Sequence, residues 1–161
     1  MEQMSIDSPA ADNSSSKGDN DAMRDYNALV SEMEQSQLKA GKQRTTLKDF
    51  KQIKTLGTGT YGKVLLVKHL QTEKLYAMKV LKKKVIKEKN QIEHTKTERR
   101  VLEMVKHPFV VRLNYAFAEH DRIYFVLDYC NGGELFFYLT HLRRLKEQAT
   151  KFYSATILLA L

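Results

Sequence analysis

From residue 50 onward the chain moves in short alternating runs of apolar and polar residues, each closed by turn formers. Phe50–Leu56 alternates, Val64–Val67 is a compact β-branched and apolar run, and Leu75–Leu81 follows the turn Gln71–Lys74. Period-two runs of this length between turn residues predict strands. Lys82–Lys89 is polar and basic around Val85 and Ile86, which predicts a short helix. Ile92–Val105 places apolar residues at helical spacing and stops at His107-Pro108, because proline forces its predecessor out of the helical region. A second hairpin, Leu113–Ala118 with Ile123–Leu127, surrounds Glu119-His120-Asp121-Arg122. Gly132-Gly133 then breaks the chain ahead of helical stretches at Glu134–His141 and Glu147–Leu161. Strands with one inserted helix, followed by further helices, predict an α+β domain.

Ahead of residue 50 the pattern differs. Residues 5–21 are mostly Ser, Asp, Asn, Gly and Pro. Such a segment buries too little apolar surface to offset the entropy of ordering, so it is expected to be disordered. Between Ala22 and Ala40, Tyr26, Leu29, Val30 and Met33 recur at helical spacing, with Asp21 placed to cap the start and Gly41 to end it. This predicts one amphipathic helix that docks by its apolar stripe. Gly41–Lys48 reads as a linker.

Charge sharpens this division. Residues 1–49 carry 6 Lys/Arg against 9 Asp/Glu, and residues 50–161 carry 21 against 10. An acidic tail thus precedes a basic globular part that favours anionic partners such as phosphates. Lys82, Lys83, Lys84, Lys87 and Lys89 read first as a solvated face. No aromatic residues interleave with them for base stacking, so a nucleic-acid partner is not expected. Cys130 is the one cysteine and cannot form an intramolecular disulfide, which points to a reducing, cytoplasmic or nuclear compartment. The N-terminus reads as neither a signal peptide nor a myristoylation site, and no stretch is apolar enough to span a bilayer, so no membrane partner is expected. No metal-ligand cluster is read from the sequence.

Three features carry chemistry. The first is Gly57-Thr58-Gly59-Thr60-Tyr61-Gly62. Glycines let a backbone approach an anion and aim N–H groups at phosphate oxygens. In a dinucleotide-binding fold the last glycine opens a helix; here Lys63-Val64-Leu65-Leu66-Val67 follows, so a strand–loop–strand hairpin over a nucleotide fits better. An ordinary hairpin with three glycines stays open for the loop alone. The second is Lys79, inside the apolar run Tyr76-Ala77-Met78 and Val80-Leu81. A buried ammonium needs an anion, and a solvent-facing position on an edge strand is the alternative. The third is Glu98, which shares a helical face with Val101, Leu102 and Val105 and lacks a charged base at offsets of three or four. A carboxylate so placed seeks a tertiary cation, and Lys79 is the candidate; the alternative leaves Glu98 solvated beside Arg99 and Arg100.

These residues, with Ile53–Gly59, Tyr76–Lys79, Gln91–Thr95, His107-Pro108-Phe109 and Asn131–Phe136 in order, make the chain from about Leu47 to Leu161 resemble an AGC-group serine/threonine protein kinase. Within that group the likeness is first to the catalytic subunit of the cyclic-AMP-dependent enzyme and next to protein kinase B. The resemblance implies a protein-kinase-like N-lobe over 50–128, with a five-stranded antiparallel sheet and helix C, then a hinge and the first helices of an incomplete C-lobe over 129–161. Residues 1–21 would be the tail and 22–49 the amphipathic helix and linker. It implies ATP with Mg²⁺. Gly57, Thr58, Gly59, Thr60, Tyr61 and Gly62 would cover the phosphates; Leu56, Val64 and Ala77 would enclose adenine. Lys79 and Glu98 would form an ion pair at the α- and β-phosphates. Leu127 would be the gatekeeper, Asp128, Tyr129 and Cys130 the hinge, and Glu134 a contact to ribose and to a basic substrate residue. His94 would meet a phosphothreonine outside these residues. Implied partners are peptides with basic residues near the target Ser/Thr, a regulatory subunit, and an aromatic tail motif for the groove by Val85 and Ile86.

Residues 1–161 contain no His-Arg-Asp catalytic loop and no Asp-Phe-Gly metal ligand. The sequence ends at Leu159-Ala160-Leu161 without a helix stop signal, which reads as a cut within a helix. The catalytic Asp and metal ligand are therefore expected beyond Leu161, and residues 1–161 alone are expected to be inactive. Two functional readings stay open here: the ATP-binding part of a kinase, and a non-catalytic module that binds nucleotide or a partner.

Overall fold

The computed structural model describes residues 45–161 together with 24, 27–32 and 35. The expected disordered tail over 1–21, the helix positions Tyr26 and Met33, its terminal signals Asp21 and Gly41, and the linker residues 41–44 lie outside the described residues. Residues 27–32 are helical, as the periodicity predicted, and belong to helix α1. A 3₁₀ turn at Leu47–Asp49 leads into strands β1 (Phe50–Gly59), β2 (Gly62–His69) and β3 (Leu75–Lys82). Helices α2 (Lys83–Glu88) and α3 (Ile92–Met104) follow, then β4 (Leu113–Glu119), β5 (Arg122–Asp128), α4 (Leu135–Leu142) and α5 (Glu147–Ala160).

The five strands form one antiparallel sheet in the order β1-β2-β3-β5-β4. β3 is therefore an interior strand, which removes the edge-strand alternative for Lys79. Because side chains alternate along each strand, the register sorts the sheet into two apolar faces. One face joins Leu65, Val67, Tyr76, Met78, Val80, Tyr124 and Val126 with Phe50 and Phe117. The other joins Leu81, Ala116, Ile123 and Phe125 with Ile86 of α2, Ile92 of α3 and Leu29 of α1. Met78, Ile123, Phe125 and Val126 are wholly buried. The docking predicted for the amphipathic N-terminal segment is thus made by Leu29, which is 1 % exposed.

The first face is aromatic. Phe50 stacks on Phe117 and meets His69 and Tyr115 edge-on, and Phe117 stacks on Tyr124. His69 is buried and its Nδ1 accepts from the Thr72 backbone N–H at 3.2 Å, which ties the β2–β3 turn to this cluster. α4 and α5 contain no buried residue; Phe136, Phe152, Ile157 and Leu158 are all more than half exposed. Phe109, before β4, and Phe152, Tyr153 and Ile157 of α5 line an apolar groove of about 330 Å³.

Candidate nucleotide site

β1 and β2 form the glycine hairpin, with Gly59 opposite Gly62 and Thr60-Tyr61 as the two-residue tip. The three glycines differ in what requires them. A Cβ on Gly62 would lie 1.8 Å from the Val80 carbonyl oxygen, so β2 can approach β3 here only without a side chain. Gly57 and Gly59 have nothing within 4 Å of that position, and neither has a positive φ. Neither packing nor backbone conformation explains them; open space beside the backbone is what they provide.

Strand register then fixes the floor. Val64 and Phe125 are the cross-strand partners of Lys79, and Leu66 and Leu127 are those of Ala77. Directly opposed residues share a sheet face, so Val64, Ala77, Lys79 and Leu127 lie together. Lys79 Nζ donates to both carboxylate oxygens of Glu98, at 2.6 and 2.8 Å. The side chains are 32 % and 40 % exposed, so the pair itself stabilises the fold by no more than about 1 kcal/mol. Its effect is positional: it holds one ammonium, with a proton to spare, on the face below the hairpin. Leu56 falls in the β-bulge between Thr55 and Gly57 and is 39 % exposed. Thr58 pairs with Lys63, and Tyr61 at the tip is 39 % exposed.

The structure corrects the reasoning about Glu98. The face bearing Val101, Leu102 and Val105 is not the buried one, since Val101 is 45 % exposed and Leu102 and Val105 only half-buried. The buried face of α3 carries Ile92, Thr95, Lys96 and Arg99. On that face Lys96 is paired locally with Glu93 at 2.7 Å and Arg99 with Glu103, and the contact that local offsets could not reveal is that of Arg99 with Glu32 of α1. Ile86 is also filled differently from expectation. It packs under Leu29, so only half-buried Val85 remains toward the groove inferred there. In the lysine run, Lys82, Lys84 and Lys89 are exposed, whereas the Lys83 ammonium donates to the His120 carbonyl.

At the far end of β5, Asp128 pairs with Tyr76. Its carboxylate accepts from the Arg112 backbone N–H at 3.2 Å and from Asn114 Nδ2 at 2.7 Å, so this side chain is committed to the β4 side. Arg112 and Asn114 were not singled out in the sequence, where nothing local marks them. Cys130 is exposed, and Glu134 is the N-cap residue of α4 without a side-chain cap hydrogen bond. Among the described residues no hydrogen bond links either to the Lys79–Glu98 pair. The Tyr138 hydroxyl donates to the Gly132 carbonyl at 2.6 Å, and Gly133 takes φ +77°, a conformation open to glycine. His94 is exposed, with its ring nitrogen 2.8 Å from Gln91 Oε1. Among the described residues no three His, Cys, Asp or Glu gather to hold a metal ion, and no helix is long and apolar enough to cross a membrane.

The protein kinase domain pattern matches residues 50–161. A RAC serine/threonine-protein kinase of Drosophila melanogaster is 49 % identical over 122 residues, covering 76 % of this chain and 20 % of that protein. The RAC-beta serine/threonine-protein kinase of Homo sapiens is 48 % identical over 134 residues, 83 % of this chain and 28 % of that protein, and the Mus musculus RAC-beta kinase is 47 % identical over 132. The chain thus spans between a fifth and somewhat over a quarter of the curated relatives it matches. With an α+β fold, a five-stranded antiparallel sheet and the motifs in kinase order, it belongs to the protein kinase domain family as a member of the AGC group.

Proposed function

We propose that residues 50–161 hold ATP for a serine/threonine protein kinase that transfers the γ-phosphate to protein Ser or Thr. The observation that carries this reading is the Lys79–Glu98 pair, set on the sheet face below a hairpin whose Gly57 and Gly59 leave open space. In this reading the backbone N–H groups of 57–62 cradle the phosphates. Lys79 meets the α- and β-phosphates, and Glu98 keeps its ammonium in place. Leu56, Val64, Ala77 and Leu127 enclose the adenine, while Asp128, Tyr129 and Cys130 offer it backbone hydrogen bonds. Glu134 serves the ribose or a basic substrate side chain. Mg²⁺ would arrive with the nucleotide and neutralise phosphate charge; the described residues supply binding and orientation. Protein substrates with basic residues near the target, a regulatory subunit and an aromatic tail docking beside Val85 belong to the same proposal.

The test is calorimetric titration of the full-length protein with Mg·ATP, repeated with Lys79→Ala. Micromolar binding that Lys79→Ala abolishes supports the reading, and equal binding by both proteins refutes it. A polypeptide of residues 1–161 alone should bind ATP without phosphorylating a peptide, since it has no group to orient the hydroxyl. Transfer by kinase-free preparations of that polypeptide would count against this assignment of roles.

A further inference from the structure

Helix α3 carries Glu98, yet little fixes the helix itself. Its buried residues are Ile92, Thr95, Lys96 and Arg99, so Ile92 is its one buried apolar anchor and sits at its first position. Beyond that turn the buried side is polar. Arg99 is 3 % exposed, a location where a guanidinium is held only by well-placed partners. It has them. Its terminal nitrogens lie 3.4 Å from Glu32 Oε2, 3.3 Å from the Glu32 carbonyl oxygen, and 2.9 and 3.1 Å from the Glu103 carboxylate. Arg100 reaches the same Glu32 carboxylate at 3.1 Å. Glu103 lies on α3 itself and cannot orient the helix. Glu32 lies on α1, which is pinned to the core by Leu29 against Ile86, Ile92 and Phe125.

We infer that Glu32 is a positioning residue for nucleotide binding, and that α1 clamps α3 in the rotation that keeps Glu98 on Lys79. Successive helix residues are 100° apart, so the helix cannot turn Arg99 away from Glu32 without carrying Glu98 off Lys79. The coupling is reciprocal: a nucleotide that fixes Lys79 and Glu98 also tightens α1 on the sheet. This inference rests on the ATP site proposed above, and adds to it a control point outside the 112-residue stretch matching the kinase pattern.

The full-length protein with Glu32→Gln, which keeps side-chain size, should bind Mg·ATP about five- to tenfold more weakly than wild type. Amide hydrogen exchange should speed up at residues 96–104, and Glu32→Asp should recover part of both effects. Affinity within twofold of wild type, with unchanged exchange at 96–104, overturns the inference. A readout without any variant guards against misfolding: saturating Mg·ATP should slow exchange at residues 27–32 of the wild-type protein, and no slowing there overturns the coupling. If the wild-type protein does not bind ATP, the proposed site fails. The clamp then stands or falls on exchange at 96–104 in Glu32→Gln alone.

Discussion

Replacing each motif glycine by alanine should give opposite signs of stability change within six residues. At Gly62 the new Cβ would lie 1.8 Å from the Val80 oxygen and 2.9 Å from its carbonyl carbon, both backbone atoms of the interior strand. Reaching even a tight contact requires β2 and β3 to separate by more than about 1 Å. That separation strains the end of the ladder where Gly62 faces Leu81 and weakens the bond from the Lys82 N–H to the Tyr61 carbonyl. Overpacking of this kind costs about 1–3 kcal/mol, and each impaired backbone bond about 1 kcal/mol more. A loss of about 3 kcal/mol should lower the melting temperature by about 6–12 °C for a domain of this size. Gly57→Ala and Gly59→Ala meet no atom within 4 Å and need no positive φ. They should raise stability by about 0.5 kcal/mol, because alanine loses less backbone entropy in a strand. The assay is thermal unfolding by circular dichroism without nucleotide, followed by Mg·ATP titration of each variant. Gly57→Ala and Gly59→Ala should melt at or above wild type yet bind ATP about tenfold more weakly, since their methyl groups occupy the space proposed for phosphate. A Gly62→Ala protein that melts within 2 °C of wild type would refute the steric reasoning, as would equal destabilisation by all three.

Other consequences are as direct. Lys79→Ala should change stability by less than about 1 kcal/mol, because the ion pair is partly exposed, while removing the heat of ATP binding; chemical denaturation beside calorimetry checks both. Phe125→Ala, at a wholly buried site opposite Lys79, should cost about 3–5 kcal/mol, read as a lower denaturation midpoint. Burial chiefly raises the phenol pKa values of Tyr76, with a further push from Tyr115, and of Tyr124. A folded-state pKa above the unfolded value of 10.0 means the stabilisation is full below pH 10 and fades as pH climbs through the raised values. Ultraviolet titration should find these two tyrosines ionising after the exposed ones, together with alkaline unfolding, and Tyr124→Phe should remove one late step. The Lys96 ammonium lowers the pKa of Glu93, so that contact is present above pH 4.5 and lost as pH falls through the lowered value; NMR titration of the Glu93 side chain checks it.

The sheet was legible because each strand writes its own period, and the hairpins at 60–61 and 120–121 are local. The limits of the helices after β3 agreed to within a residue or so for the same reason: His107-Pro108 and Gly132-Gly133 act on their immediate neighbours. Lys79–Glu98 was legible from the strand side, where an ammonium inside an apolar run needs an anion, and from the lack of a charged base at local offsets of Glu98; the apolar helix face invoked for Glu98 is not the buried one. What escaped were contacts whose members look ordinary alone. Arg99 reads as a surface base until Glu32, 67 positions earlier, is brought beside it. Asn114 reads as one more residue of the Leu113–Ala118 strand until it holds Asp128. The bulges around Ile53 and Leu56 depend on how β1 meets β2, and hydrophobic alternation is blind to an extra residue in one strand. The requirement for Gly62 comes from β3, not from the loop motif in which it appears.

The bond from Tyr138 to the Gly132 carbonyl ties the turn at 132–133 to α4, while Asp128 is anchored at the other end by Arg112 and Asn114. Between two anchored ends, any swing of α4 relative to the sheet has to be taken up by rotation at Tyr129, Cys130 and Asn131. Three residues form a short axle, and one of them carries the chain's sole thiol, exposed to solvent. A fluorophore on Cys130 would sit on the axle itself, reporting each swing without any new cysteine being engineered.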